Sequence, residues 1–509
     1  MKINIKNLGV GALTACLLAA CDLNTNPTTS VNNNDMYKNT KNAAQVLKGA
    51  WHNFFTDGNT YASIGIGALM LNDDFAASDA VRTVSYGFSP SYHLTFGYAR
   101  GEYNTVMWNL TYDLINNANA VIKHIDDAEG NEKDKSLIKG QALATRGYAY
   151  MLLATHYSFA IDVDPDAVCV PIRTEPVEDE AAALEGIPAA SVSDVFDRAF
   201  KDLGEALTLI PTDYQHGRGD NTEYQIDYPV TLGLLARTNL YARHWDDAYK
   251  YAKQAIAINP YLMSEAEYKS GFNDCANKEW MWGLASTLDD KSAAYIFYFK
   301  DCASDGYTNL TVDPNFQAMY SDDDYRKDLF YWGRTAYGDP AMLNDKFHFS
   351  DLDNEMGAID LMRTSEMYLI LAEAAAHTNK EAEARQTLEK LQNARMKAGH
   401  TAPAVTVTGD ALIEQIWMER RKELWGEGFA LTDLIRNQQE VVRRPYSDKI
   451  LIDGEDTETE VEGHTIIQAP DGTPFTPNSK YYLFRIPEKE ELHNPSLYSE
   501  HPRQPFYDL

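Results

Sequence analysis

The chain has 509 residues, 44% of them hydrophobic and 24% charged, a balance ordinary for a globular protein and sufficient for a large core. Its 75 acidic and 45 basic residues give a net charge of −30. A field of that sign repels phosphate polymers and anionic lipid surfaces, which argues against nucleic acid as a partner and leaves uncharged or cationic ligands open.

The first element is a targeting signal. Lys2 and Lys6 form a short positive region, Leu8 to Leu18 an apolar one, and Leu18-Ala19-Ala20-Cys21 reads as a lipobox. The apolar stretch is too short for a membrane span. Residues 1–20 are therefore expected to leave as a lipoprotein signal peptide, with acyl chains carried on Cys21. Each buried methylene contributes about 0.8 kcal/mol, so two or more chains hold a protein at a bilayer durably. Removing the two signal lysines takes the net charge from −30 to −32. Residues 21–34, rich in Asn, Thr and Asp, read as a flexible tether. No clean linker divides residues 35–509, which are expected to form a single domain with no membrane-spanning run.

Tyr112 to Ile125 predicts a helix whose apolar face carries Trp108, Tyr112, Ile115, Ala118, Ile122 and Ile125. Lys139 to Tyr157 predicts a second, with Ala142, Ala144, Gly147 and Ala149 permitting close packing. Val195 to Ile210 predicts a third, ended by Pro211. A degenerate tetratricopeptide-like repeat follows. Leu235-Ala236, Ala248, Ala252, Ala255 and Pro260 show its offsets. Leu371-Ala372, Ala384, Leu388 and Leu391 repeat them, and Ala199, Leu203, Ala206 and Pro211 repeat the second half. The pattern predicts stacked helical hairpins, each burying its face on the next. Trp280-Met281-Trp282 and Tyr295 to Phe299 read as short β-like runs. Ile450 to Phe475 reads as a long excursion or hairpin. The expected architecture is mainly α, a helical-hairpin scaffold with irregular loop and short β insertions.

Signals of catalysis are missing. No P-loop, HExxH or GxSxG occurs, and Met70 replaces the third glycine after Gly65-Ile66-Gly67. Asp162, Asp164 and Asp166 alternate as calcium ligands could. Ala167, however, stands where an EF-hand loop needs glycine, which favours a solvated acidic loop; no cofactor is expected. Beyond Cys16 in the signal and Cys21, three cysteines remain: Cys169, Cys275 and Cys302. The odd number excludes a complete disulfide framework, leaving a Cys275–Cys302 pair and buried free thiols as alternatives.

Residues 419–436 carry the densest set of charges. Ile413, Ile416, Trp417 and Leu424 would give a helix its core face, while Glu419, Arg420, Arg421 and Glu423 are too many charges for an apolar stripe. With Glu427, Asp433 and Arg436 across Gly428, they predict buried or half-buried ion pairs that lock the turn, rather than a catalytic set. This block resembles the C-terminal signature of the SusD/RagB family of outer-membrane nutrient-binding lipoproteins. Trp108, Tyr112, Ile115 and Asn119 look like that family's first helix. Gly140 to Tyr157, with Arg146 and Tyr150, is similar to its Arg-Ala-Tyr helix, and Pro171 to the proline beyond. Arg363, Glu366, Tyr368, Ala372 and Glu373 resemble its R-x-x-E-x-Y-L-x-x-A-E-A helix. Arg485-Ile486-Pro487, Glu490 and Asn494-Pro495 resemble the closing stretch. Ala430 departs from the family's frequent arginine, and the stretch from Tyr157 to Pro171 is longer than usual.

The resemblance implies a tetratricopeptide-like scaffold, a surface-exposed lipid anchor and no catalysis. It also implies a SusC-like TonB-dependent transporter as partner, over which the protein sits as a lid. The usual ligand is a glycan; the RagB branch captures peptides, and a lipid-anchored glycan hydrolase is the alternative from another class. Sugars present apolar C–H faces ringed by hydroxyls, so aromatic rings with Asp or Asn nearby are the chemistry to seek. Trp108 and Trp417 fall on core stripes, and Trp280 and Trp282 flank a β-like run. Two loop regions qualify instead. The first runs from Tyr61 to Tyr98 and offers Asp73, Asp74, Tyr86, Tyr92 and Tyr98. The second runs from Tyr295 to Tyr337 and offers Tyr295, Tyr298, Tyr307 and Trp332.

Overall fold

A computed structural model describes residues 36–503, apart from 59, 61, 83–86, 98–101, 289–291 and 305. The expected signal peptide, the tether and Cys21 lie outside the described residues.

Helices α1 (Thr40–Thr56) and α2 (Gly65–Ala76) open the fold. The Asn39 side chain caps α1 by accepting the Asn42 N–H at 2.9 Å, which satisfies one orphan donor of the first turn. Strand β1 (Ala80–Arg82) leads to two long helices, α3 (Glu102–His124) and α4 (Glu132–Tyr157). Both begin earlier than their apolar stripes suggest. For α4 the reason is Asn131, which accepts the Asp134 N–H at 2.9 Å and starts the helix on a polar turn. A short antiparallel ribbon of β2 (Val168–Pro171) and β3 (Ala189–Ser191) precedes α5 (Val192–Leu209). The small residues on α4 work as predicted: a Cβ on Gly147 would lie 3.2 Å from the Ala199 carbonyl oxygen of α5.

Helices α6 (Tyr228–Tyr241) and α7 (Trp245–Ile258) form the first repeat hairpin, with Ala248, Ala252 and Ala255 fully buried at the contact. The middle of the chain is irregular. Strand β4 (Trp280–Ala285) is followed by the one-turn helix α8 (Phe297–Lys300), β5 (Leu310–Val312) and the hairpin of β6 (Phe330–Arg334) and β7 (Pro340–Asn344). Strand β8 (Ala358–Arg363) then returns antiparallel to β4. Tyr295 to Phe299, expected as a β-like run, is instead a 3-10 turn (Ser292–Ile296) passing into α8. Tyr295 and Tyr298 are half-buried, three residues apart, and the residues between them are buried, which is helical spacing rather than alternation.

The second repeat hairpin is α9 (Thr364–His377) with α10 (Glu381–Ala394), and α9 packs on α7, so the hairpins stack. Helices α11 (Asp410–Glu423) and α12 (Ala430–Arg436) carry the charged block, and β9 (Ser447–Ile450) pairs with β10 (Thr459–Glu462) as a hairpin in the late excursion. Trp417 departs from its expected core position. It is half-buried, with the Arg421 guanidinium 5.2 Å over its ring. Cys169, Cys275 and Cys302 are buried free thiols.

The charged block is buried and ionic, as its composition predicts, but its partners come from elsewhere in the chain. Glu423 accepts from Arg326 at 2.6 Å, Arg363 at 2.5 Å and Arg395 at 2.8 Å. Glu427 binds Arg363 at 2.7 Å and Lys346 at 2.6 Å. Glu279 binds Arg363 and Arg395 at 2.8 and 3.1 Å. Asp433 takes Arg420 and Arg436 at 2.6 and 2.7 Å, and Arg436 continues to Glu373 at 2.5 Å. Burial alone would push these carboxyls up. The guanidinium groups of Arg395, Arg363 and Arg326 nevertheless hold Glu423 well below the usual range. Arg363 and Lys346 hold Glu427 at about 2 in the same way. Asp360 behaves in the opposite sense. Burial and the neighbouring Glu427 charge push it up to about 8, so at neutral pH it keeps its proton and donates a hydrogen bond to Glu427.

Candidate ligand-binding site

The two loop regions meet in space. Strand β1 pairs antiparallel with β5 (Ala80 opposite Val312, Arg82 opposite Leu310), and the Thr311 hydroxyl donates to the Val81 carbonyl at 2.9 Å. Phe88 of the first region meets Phe299 of the second edge to face, with centroids 5.1 Å apart. Above this buried contact the chain from α8 folds back on itself. The Tyr307 N–H donates to the Tyr298 carbonyl at 2.7 Å, and the Asn309 N–H to the Phe299 carbonyl at 3.1 Å.

That return gathers three of the expected tyrosines. Tyr295 and Tyr298 lie 4.9 Å apart, and Tyr298 and Tyr307 6.5 Å apart in an edge arrangement. Tyr307 stacks on Phe299 at 4.6 Å, and Tyr298 leans on Phe349 at 4.9 Å. All three are half-buried over a phenylalanine floor, so each keeps part of its ring in solvent. The Tyr298 hydroxyl donates to Glu355 at 2.7 Å, and that bond, with burial, raises its pKa to about 12. The loop beneath is clamped by Asp301, which accepts the Phe349 N–H at 3.0 Å and faces His348 Nδ1 at 3.3 Å. The hydrogen bond to Asp301 raises the His348 pKa.

Other expected residues fall elsewhere. Asp73 is 4% exposed and accepts from His156 Nε2 at 2.9 Å; Asp74 is 3% exposed and accepts the Gly428 N–H at 3.1 Å. Both serve the interior because α2 is buried on nearly every side. Tyr92 is fully buried. Its hydroxyl bonds His464 at 2.9 Å and accepts the Thr465 N–H at 3.1 Å, and Arg443 lies 4.4 Å over its ring. None of these three can touch a ligand at the surface. Tyr86 and Tyr98 lie outside the described residues. Trp332 is half-buried and stacks on Tyr446 at 5.8 Å, on the opposite face of β6 from Tyr331. Tyr331 (41% exposed) and Tyr337 (53%) present more ring to solvent than the half-buried Trp332. The Ala336 N–H donates to the Thr308 hydroxyl at 3.3 Å, which brings the turn bearing Tyr337 beside Tyr307. Strand alternation around Trp332 was the available signal for Tyr331.

The acidic loop does not gather around a cation. Asp162 pairs with Arg243 at 3.2 Å and accepts from Gln438 at 3.0 Å, and Asp164 accepts the Asp166 N–H at 3.1 Å. Among the described residues no group of three or more His, Cys, Asp or Glu side chains is placed to hold a metal.

Residues 334–507 match the model of the SusD family, and residues 69–222 match a second model described as starch-binding, associating with outer membrane. A crystal structure of a SusD-like carbohydrate binding protein from Bacteroides vulgatus ATCC 8482 is 43% identical to the chain, with a TM-score of 0.86, covering 92% of this chain and 100% of that one. The chain belongs to the SusD/RagB family. Two more distant family structures agree in fold alone. One, from Bacteroides thetaiotaomicron VPI-5482, has 21% identity and a TM-score of 0.72, covering 90% of this chain and 99% of that one. The other, from Bacteroides fragilis, has 19% identity and a TM-score of 0.70, covering 91% and 100%. No curated protein matches. Among the described residues no helix is long and apolar enough to cross a membrane.

The family's sequence signatures map onto the scaffold rather than onto the tyrosines. Arg363 and Glu423 sit in the buried ion cluster, and Arg237 holds Glu366 at 2.6 Å. Arg146 binds Asp202 at 2.7 Å, and the Tyr150 hydroxyl donates to the Arg173 carbonyl at 2.8 Å.

Proposed function

We propose that the chain is a cell-surface lipoprotein, anchored through Cys21, that binds oligosaccharide or polysaccharide and passes it to a SusC-like TonB-dependent outer-membrane transporter without cleaving it. The observation that carries this reading is the cluster of Tyr295, Tyr298 and Tyr307, with Tyr337 beside it, on a chain 43% identical to a SusD-like carbohydrate binding protein. Partly exposed rings on a rigid floor suit the C–H faces of sugars. Tyrosine hydroxyls and Glu355 supply hydrogen bonds for the rim.

The test is calorimetry against a glycan panel and a peptide panel. One glycan should bind. Tyr298→Ala and Tyr307→Ala should each weaken it about tenfold or more, because a few rings carry most of the energy at such surfaces. Affinity should barely respond to salt, since ring stacking is short-range and uncharged, unlike an ionic site screened over about 8 Å. Trp332→Ala should bind as wild type, since its ring is engaged in stacking on Tyr446. Peptide binding with glycans silent would move the chain to the RagB-like alternative, and release of reducing ends would make it a hydrolase.

A further inference from the structure

Glu355 stands at the edge of the tyrosine cluster in a backbone conformation that glutamate rarely adopts. Its φ is +55°, in the left-handed region where a Cβ is strained. The turn that imposes this is short and closed. The Met356 N–H donates to the Asp351 carbonyl at 2.8 Å, the Ser350 N–H to the Met356 carbonyl at 2.9 Å, and the Glu355 N–H to the Leu352 carbonyl at 3.2 Å. Gly357 seats the turn against α8. A Cβ there would lie 2.5 Å from Phe297 Cε2, so glycine is what lets this backbone approach the helix one residue before Tyr298. The Gly357 carbonyl also accepts the Ser286 N–H at 2.9 Å, which joins the turn to the end of β4. Seated in this way, Glu355 Oε1 accepts from the Tyr298 hydroxyl at 2.7 Å.

That bond sets the polarity of the rim. The Tyr298 hydroxyl gives its one proton to the bond with Glu355, and a pKa raised to about 12 keeps the proton in place at neutral pH. The Tyr298 oxygen is left with lone pairs to offer. The Glu355 carboxylate also offers lone pairs alone, and its Oε2 takes no hydrogen bond among the described residues. Two acceptors side by side call for two donors from the ligand. Adjacent hydroxyls of a sugar supply both. A ligand carboxylate supplies neither and meets the charge of Glu355. The basic groups described in the surrounding loops are engaged elsewhere. Lys300 is buried with its Nζ 3.8 Å over the Phe347 ring, and His348 faces Asp301 at 3.3 Å and Asp345 at 3.1 Å.

We propose that Glu355 sets the ligand class of the tyrosine site: the Glu355–Tyr298 pair admits neutral glycans through two adjacent free hydroxyls and rejects glycans of uronic acids. The inference rests on the reading of the cluster as the glycan site. A net charge of −30 repels an acidic glycan everywhere on the surface and is altered little by one residue, whereas the Glu355 charge acts at hydrogen-bond range. One substitution separates the two. Glu355→Gln keeps the shape and an oxygen to accept from Tyr298, removes the charge, and adds an N–H donor.

The experiment is calorimetry on the intact protein at neutral pH with hexasaccharides of glucose, galactose and mannose, each paired with the hexasaccharide of its uronic acid. A neutral member should bind, and its acidic partner should bind at least about tenfold more weakly, a gap that narrows as salt screens the repulsion. Glu355→Gln should weaken the neutral ligand about threefold and strengthen the acidic one, closing the gap to about twofold. Tyr298→Phe keeps the ring but loses the anchor of Glu355 and the second acceptor, so it should weaken the neutral ligand about fivefold. A gap that survives Glu355→Gln unchanged would place the discrimination in the field of the whole chain and overturn the proposal. Equal affinity of the wild type for both members of the pair, or wild-type affinity in Tyr298→Phe, would overturn it as well. In each of these cases loss of the neutral ligand in Tyr298→Ala would leave the tyrosine site itself standing. Silence of every hexasaccharide at millimolar concentration would overturn that site and this inference together.

Discussion

Glu427 is the most informative single position in the scaffold. It is 1% exposed and held by Arg363 at 2.7 Å and Lys346 at 2.6 Å. Glu427→Ala removes the carboxylate partner of buried Lys346, while Arg363 keeps Glu279 and Glu423; losing one partner of a buried pair costs about 3–5 kcal/mol. The titration of the same group gives a concordant size. Its pKa is depressed from 4.5 to about 2. At roughly 1.4 kcal/mol per unit, that is about 3 kcal/mol of stability. Its sign is fixed by the direction of the shift. The contribution is present above the unfolded value and is lost as pH falls from about 4.5 through the folded value. The unfolding entropy is about 2.1 cal/mol/K per residue, or about 1 kcal/mol/K for a domain of this size, so the melting temperature should drop by roughly 3–5 °C. The assay is thermal unfolding by circular dichroism at neutral pH and again near pH 3. The variant should melt lower at neutral pH, and its deficit should shrink in acid, where the wild type loses the same contribution. Ligand affinity of the folded fraction should be unchanged. An unchanged melting temperature together with lost binding would refute the assignment of this block to structure.

Three other outcomes follow from neighbouring positions. Asp360 has its folded pKa raised from 3.8 to about 8, so its stabilisation is complete below the unfolded value and is lost as pH rises to about 8; Asp360→Asn, a permanent donor to Glu427, should flatten the loss of melting temperature between about pH 4 and pH 8. Gly428 has φ +78° and a Cβ there would lie 2.5 Å from Met70 Cβ, so Gly428→Ala should destabilise by about 1–3 kcal/mol in urea unfolding, while an alanine as stable as the glycine would refute that packing. Cys21→Ala should release the protein from membranes on fractionation; a variant that stays membrane-bound in cells lacking the partner transporter would remove the lipid anchor from the proposed function.

What could be read from the sequence, and what could not, divides by range of interaction. The repeat hairpins were legible because Ala248, Ala252 and Ala255, or Ala372 and Ala384, declare a close helix contact locally. The ionic character of 419–436 was legible from charge density alone. Its partners were not, because Arg326, Arg363 and Lys346 reach it from 60 to 97 residues away, and no local pattern encodes that meeting. Tyr92 shows why a loop tyrosine is not a surface tyrosine: Arg443 and the segment at His464 close over it, nearly four hundred residues later in the chain. Tyr295 and Tyr298 are legible as aromatic residues off a core stripe, but a run this short does not distinguish their helical spacing of three from a strand. Trp332 lies near them in sequence, but the contact its ring makes is with Tyr446, and strand alternation puts it on the face of β6 opposite Tyr331.

The division of labour between charge and aromatic rings follows from how each pays for order. The buried cluster around Glu423 and Glu427 is fixed by guanidinium and carboxylate geometry, and it sits directly below the loop that carries the tyrosines. Lys346 binds Glu427 at 2.6 Å, and two residues before it Asn344 donates to the carbonyls of Lys300 and Leu310 at 3.0 and 2.8 Å. Those two carbonyls bracket the return from α8 to β5. Tyr298 and Tyr307 are thus held from beneath by hydrogen bonds that lead within two residues to a buried ion pair, and Tyr298 is held from the side by Glu355. Rings already fixed lose little entropy when a ligand arrives, so a weakly polar sugar face can be retained without a large interface. The acidic surface of the chain need not oppose this, because an uncharged glycan feels no net force from a charge of −30.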